Sequence, residues 1–69
     1  MGLNTISKVI KERRKTLGIT QAQLAELSGI SVNTLYKLER DESNPTIEVL
    51  VKIAEVLGME LKLEVKHRG

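Results

Sequence analysis

The chain has 69 residues, 41% hydrophobic and 29% charged, which fits one small folded domain and not a disordered segment. With no cysteine, one histidine and one tyrosine as its sole aromatic residue, it excludes a disulfide framework, thiolate chemistry and a stacking platform for bases or sugars. The net charge is only +2, but Lys8, Lys11, Arg13, Arg14 and Lys15 crowd the front while most acids lie in the back half, so one face suits a polyanion unless the front is simply a solvated helix.

Residues 5–17 read as a first helix, with Ile6, Val9, Ile10, Arg13 and Leu17 at helical spacing and Gly18 available to end it. Residues 20–28 form a second. Thr20 and Gln23 fit a capping box, Leu24, Ala25 and Leu27 are expected to face inward, and Gly29 stops it. Ser31 caps a third helix, 31–40, with Leu35 and Leu38 as its buried stripe. That leaves Val32, Asn33, Tyr36, Lys37 and Arg40 on other faces. A polar loop follows to Pro45. Thr46 caps a fourth helix, 46–57, with Ile47, Leu50, Val51, Ala54 and Leu57 as its expected stripe, and Gly58 ends it.

The period then changes. Met59, Leu61, Leu63 and Val65 alternate with Glu60, Lys62, Glu64 and Lys66, the signature of a strand over 59–66 with one apolar face. No second strand pattern exists in the chain, and a lone edge leaves its amides unpaired. The expected partner is the same strand of a second copy across a twofold axis, the alternatives being a continued helix or a frayed tail. A chain this small, without disulfide or metal, also leans on oligomerisation for stability. The expected architecture is all-α, four helices in a single domain spanning 1–69, plus a C-terminal β-strand pairing across a dimer.

Between residues 20 and 38 the pattern is that of a helix-turn-helix: a small Ala25 at a close crossing, Gly29 in the turn, Ile30 in the corner and Leu35 packing back. The chain here resembles the Cro/repressor-type, or Xre, family. The resemblance rests on Ile10-Lys11-Glu12-Arg13-Arg14-Lys15, Leu17 to Ala25, Gly29-Ile30-Ser31, Leu35 to Glu39, and Asn44-Pro45-Thr46 leading to Leu57-Gly58. It implies a lambda-repressor-like bundle whose third helix enters the DNA major groove. The terminal strand departs from the commoner fifth helix and is similar to DNA-binding antitoxins of the HipB type.

Carried onto this sequence, the resemblance implies base contacts from Val32, Asn33 and Lys37, Asn33 being suited to adenine and Val32 to a thymine methyl. It implies phosphate contacts from Gln21, Ser31, Thr34, Tyr36, Arg40, Ser43 and Asn44. Val32 and Tyr36 also read as packing residues, Ser31 as a cap and Asn33 as surface. Arg14 and Glu39 are implied to form a structural salt bridge, while Arg13, Lys11 and Lys15 read as solvated charges. The implied partners are double-stranded DNA and a second copy of the chain. A toxin protein is the alternative partner, with the chain then acting as an antitoxin that represses its own operon.

No catalytic or metal residue is expected, and no cofactor, small-molecule ligand or membrane. His67 stands beside Arg68 without a partner at catalytic spacing, and Glu60 and Glu64 are balanced by Lys62 and Lys66. The longest apolar run is too short to span a bilayer and no signal peptide is apparent, so a cytoplasmic, nucleoid-associated protein of a prokaryote or phage is expected.

Overall fold

The computed structural model describes residues 3–65. Among them are four helices: α1 Leu3–Thr16, α2 Gln21–Ser28, α3 Val32–Glu39 and α4 Ile47–Leu57. Three of the four starts are set by local chemistry. The hydroxyls of Thr20, Ser31 and Thr46 accept from the backbone N–H of Gln23, Thr34 and Val49, at 3.0, 3.1 and 3.1 Å. At α2 the Gln23 side chain also accepts from the Thr20 amide at 2.8 Å, completing the reciprocal pair.

The helix ends follow one rule. The residue after the cap enters the left-handed region, and two backbone hydrogen bonds close the last turn. After α2 this residue is Gly29, φ 71°, with the Ile30 amide donating to the Ala25 carbonyl at 3.0 Å. A Cβ at Gly29 would meet nothing within 4 Å, so the backbone angle alone asks for glycine there. After α3 the same place is held by Asp41, φ 58°, with the Glu42 amide donating to the Lys37 carbonyl at 2.8 Å. Ser7, buried on α1, donates its hydroxyl to Asp41 Oδ1 at 3.5 Å and so ties this turn to the first helix.

The core is small and aliphatic. Leu24, Leu35, Leu38, Ile53 and Leu57 are fully buried, with Ile10, Ala25 and Leu50 around them. Ile6, Ile19, Ile30, Val49 and Val56 pack against that cluster, so Ile30 closes the corner of the α2–α3 turn. Two expected inward faces are corrected. Leu27 is 65% exposed, because α2 turns Leu24, Ala25 and Ser28 inward. At roughly 100° per residue Leu27 then points about 110° away from the centre of that stripe. On α4 the buried stripe is Leu50, Ile53, Ala54 and Leu57, while Ile47 is 74% exposed and Val51 lies at the surface. The charges Glu48, Lys52 and Glu55, at i, i+4 and i+7, mark the outer face, and the buried stripe lies opposite them with Ile47 and Val51 off its centre. That stripe packs against α1 and α2.

Arg13 is likewise not a solvated charge: its Nε donates to the Leu57 carbonyl at 2.9 Å, closing the C-terminal end of α4 with a cation.

Past Gly58, residues 59–65 are neither helix nor strand. A strand exists by pairing, and a single chain offers this segment no second strand. Met59 and Leu61 are exposed at the edge of a depression between α1 and α4, while Leu63 and Val65 stand further out in solvent. Lys66, the last position of the expected strand, and His67 and Arg68 lie outside the described residues.

Candidate nucleic-acid interface

The α2–α3 unit is held to α1 by one buried carboxylate. Glu39, the last residue of α3, has a side chain only 1% exposed, and that of Arg14 on α1 is 11% exposed. Arg14 grips the carboxylate with two donors, Nε to Oε2 at 2.7 Å and a terminal nitrogen to Oε1 at 3.0 Å. Its other terminal nitrogen donates to the Ile19 carbonyl at 2.9 Å. Gln21, the first residue of α2, donates its side-chain amide to Glu39 Oε1 at 3.0 Å. The Arg14–Glu39 pair thereby ties the end of α1, the following loop, the start of α2 and the end of α3.

The electrostatics match this geometry. Burial pushes the Glu39 carboxyl upward, but the hydrogen bonds from Arg14 and Gln21 and the charges of Arg14 and Lys11 outweigh it and leave it below its ordinary value. The hydrogen bond to Glu39 raises Arg14 above its own ordinary value despite partial burial. Glu39 therefore stays charged and matched, with three donors on its two oxygens.

At its other end α3 is fixed by the Ser31 cap and by a 2.8 Å contact between the Ser31 and Thr34 hydroxyls. Between the two fixed ends Leu35 and Leu38 point into the core. Val32, Asn33, Tyr36, Lys37 and Arg40 are all exposed. Because the helix's one acid is inside and matched by Arg14, what it presents outward is an amide, a hydroxyl, a phenol, an apolar group and the cation Lys37, with Arg40 just past its end. Arg40 lies 5.3 Å from the centre of the Tyr36 ring and donates to Glu42 Oε2 at 3.1 Å, which raises its guanidinium above the ordinary value.

The remaining candidate residues fall differently. The Gln21 side chain is taken up by Glu39, which leaves its part of the surface to the backbone amides that open α2. Asn44 is exposed, whereas the Ser43 hydroxyl is buried without a hydrogen-bond partner and is not presented at the surface. The Gln21–Glu39 bond spans 18 positions and has no signature in the sequence. Arg13 had one: it sits on the same helical stripe as Ile6 and Ile10, where a long cation reaches a helix end across apolar neighbours. Among the described residues no cluster of His, Cys, Asp or Glu is placed to hold a metal, and no helix is long and apolar enough to cross a membrane.

A matching sequence is found in known proteins. The model of the helix-turn-helix family matches residues 10–63, from within α1 past the end of α4. The chain belongs to this family. Among similar proteins, a Methanococcus maripaludis protein named as an HTH-type transcriptional regulatory protein is 44% identical over 59 residues, 86% of this chain and 18% of that protein. An HTH-type transcriptional regulator of Methanothermobacter thermautotrophicus is 40% identical over 52 residues, 75% of each. The transcriptional repressor RstR of the cryptic phage CTXphi, from Vibrio cholerae, is 46% identical over 56 residues, 75% of this helix-turn-helix chain and 50% of RstR. The chain thus spans less than a fifth of the Methanococcus relative and about half to three quarters of the other two.

Proposed function

We propose that this helix-turn-helix chain is a homodimeric, sequence-specific DNA-binding regulator that represses transcription by occupying a palindromic operator. One observation carries the reading: α3 is fixed at both ends, yet its whole outward face, with Lys37 and Arg40, is open to solvent. A helix held in this way fits a major groove, where base edges carry a readable pattern of donors and acceptors. Asn33 reads adenine through its amide, Val32 meets a thymine methyl, and Lys37 reaches guanine acceptors. Ser31, Thr34, Tyr36, Arg40 and Asn44 contact phosphates, joined by the amides that open α2. The name of the similar phage protein, a transcriptional repressor, favours repression over activation.

The apolar side of residues 59–66 pairs two copies, so the two α3 helices meet half-sites about 34 Å apart on one duplex. An operator found by selection from random duplexes tests the reading. Asn33→Ala is expected to weaken operator binding by roughly 5- to 150-fold, about 1–3 kcal/mol, and to relax preference at one base pair. Lys37→Ala is expected to lower affinity and flatten its dependence on salt. A wild-type chain that binds selected and random duplexes equally at physiological salt overturns sequence-specific regulation.

A further inference from the structure

We propose that two copies join through an antiparallel ribbon of residues 60–66 whose twofold axis passes through Leu63. The inference rests on the homodimer reading above and adds to it a register, which the charge pattern selects.

The surface to be covered is apolar. Ile6, Ile47, Leu50 and Val51 line a shallow depression of about 510 Å³ with Leu61 and Leu63 at its rim. A narrower one of about 170 Å³ lies beside it, between α1, α4 and Met59–Leu61. Leu63 and Val65, the next apolar residues along, are 103% and 85% exposed. Lys62 Nζ lies 3.1 Å from Glu64 Oε1. Side chains two positions apart share a side in an extended chain and do not face each other on a helix. Paired as a strand, the segment sets its charges on one side and its leucines and valine on the other, whereas in the single chain Lys62 lines the same depression as Leu61 and Leu63.

Pairing with a second copy allows few registers. An axis between neighbouring residues sets apolar positions against charged ones and destroys the apolar face. An axis on Lys62 opposes Lys62 with its own copy and Glu60 with the second copy's Glu64. An axis on Glu64 opposes two glutamates and sets Lys62 against Lys66. Like charges directly opposite destabilise a ladder. An axis on Leu61 matches Glu60 with Lys62, but it places Glu64 opposite Gly58, which ends α4 at φ 70° and is no ladder residue. An axis on Val65 sets Lys62 against Arg68. With the axis on Leu63, Lys62 faces the second copy's Glu64 and Glu60 faces its Lys66, each pair occurring twice by symmetry. Leu61 faces Val65, and Leu63 faces itself. The apolar side chains of both strands then lie on one side of the ribbon, over the α1–α4 depressions of the two copies.

The chain contains no cysteine, so single-cysteine variants of the full chain report the register directly. A disulfide needs Cα atoms within about 7 Å, which Leu63→Cys meets on the axis. Leu61→Cys lies four residues from its own copy in this register, about 13 Å. Leu63→Cys is expected to cross-link under mild oxidation at least tenfold faster than Leu61→Cys or Val65→Cys, and Lys62→Cys mixed with Glu64→Cys is expected to give a mixed dimer. Faster cross-linking by Leu61→Cys or Val65→Cys overturns the register. Slow cross-linking throughout, in variants that sediment as dimers, overturns the ribbon and leaves the homodimer standing. Sedimentation of the wild-type chain as a monomer overturns both.

Charge reversal gives a second reading without oxidation. Glu64→Lys is expected to raise the dimer dissociation constant about tenfold, and Lys62→Glu with Glu64→Lys to restore it. No effect of Glu64→Lys overturns the register.

Discussion

The two sides of this domain are finished to different degrees. On the α2–α3 side, the charges taken out of water are matched within one chain: Glu39 receives three hydrogen bonds, and Arg14 gives three, while the Ser28 and Ser43 hydroxyls are buried without a partner. On the α1–α4 side, Ile47 and Leu63 are left in solvent beside apolar depressions, and the segment after α4 has no ladder to join. The lesson is about how far one chain determines itself. A side that must hold a helix at a fixed angle is complete in the monomer. A side that is apolar and open gains its order from whatever covers it.

The sharpest way to break the contrast is to empty the clamp. Glu39→Ala leaves Arg14 buried and unmatched, and is expected to destabilise the fold by about 3–5 kcal/mol in urea unfolding. Replacing both partners, Arg14→Met with Glu39→Leu, is expected to bring stability back to within about 1 kcal/mol of wild type, because the desolvation of both charges disappears with the pair. The two variants together separate stabilisation from orientation. If the double variant is stable yet binds the operator poorly, the ion pair serves to aim α3. If it binds normally, the aliphatic core alone sets the helix angle.

Acid titrates the same clamp. The Glu39 carboxyl lies below its ordinary value in the fold, so the unfolded chain takes up a proton first as the pH falls. Its contribution is fully present above about pH 4.3, the ordinary glutamate value, and is lost as the pH drops through the lower folded value. Urea midpoints measured from pH 7 to pH 3 are expected to fall steeply below about pH 4.3, and Glu39→Gln is expected to lessen that fall. An unchanged slope in Glu39→Gln would place the acid sensitivity elsewhere.

The same division explains what the sequence made legible. Caps at Thr20, Ser31 and Thr46 are written within three residues, and the structure forms all three. The buried stripe of α3 is readable because Leu35 and Leu38 are its inward apolar positions, while Val32 and Tyr36 fall to the outside. The inward face of α4 is readable from its charges and not from its apolar residues: Glu48, Lys52 and Glu55 mark the outside, and the stripe opposite holds Leu50, Ile53, Ala54 and Leu57 while Ile47 and Val51 fall off it. The role of Gln21 is hidden, because an amide that opens a helix can serve a phosphate or a carboxylate, and the fold decides which is near. The period of two after Gly58 is plain in the sequence, but pairing is a property of an assembly and not of one chain.

The smallest expected effect lies at the end of α3, where the finished side departs from its own rule. Gly18, Gly29 and Gly58 hold the left-handed position after α1, α2 and α4, and Asp41 holds it after α3. Asp41→Gly removes a side chain from a strained angle, worth about 1 kcal/mol for an aspartate, which tolerates that region, and a negative charge from the carbonyl end of the helix dipole, worth about 0.3–1 kcal/mol. It also removes the acceptor of the Ser7 hydroxyl, leaving a buried donor to water or to nothing, at about 1 kcal/mol or more. The net change is expected to be under about 1 kcal/mol, and Asp41→Asn separates its parts. Asparagine keeps the acceptor and tolerates the left-handed angle while losing the charge. Asp41→Asn is therefore expected to be the more stable of the two variants in thermal unfolding. If glycine proves the more stable, the 3.5 Å contact to Ser7 contributes nothing, and backbone strain alone governs this turn.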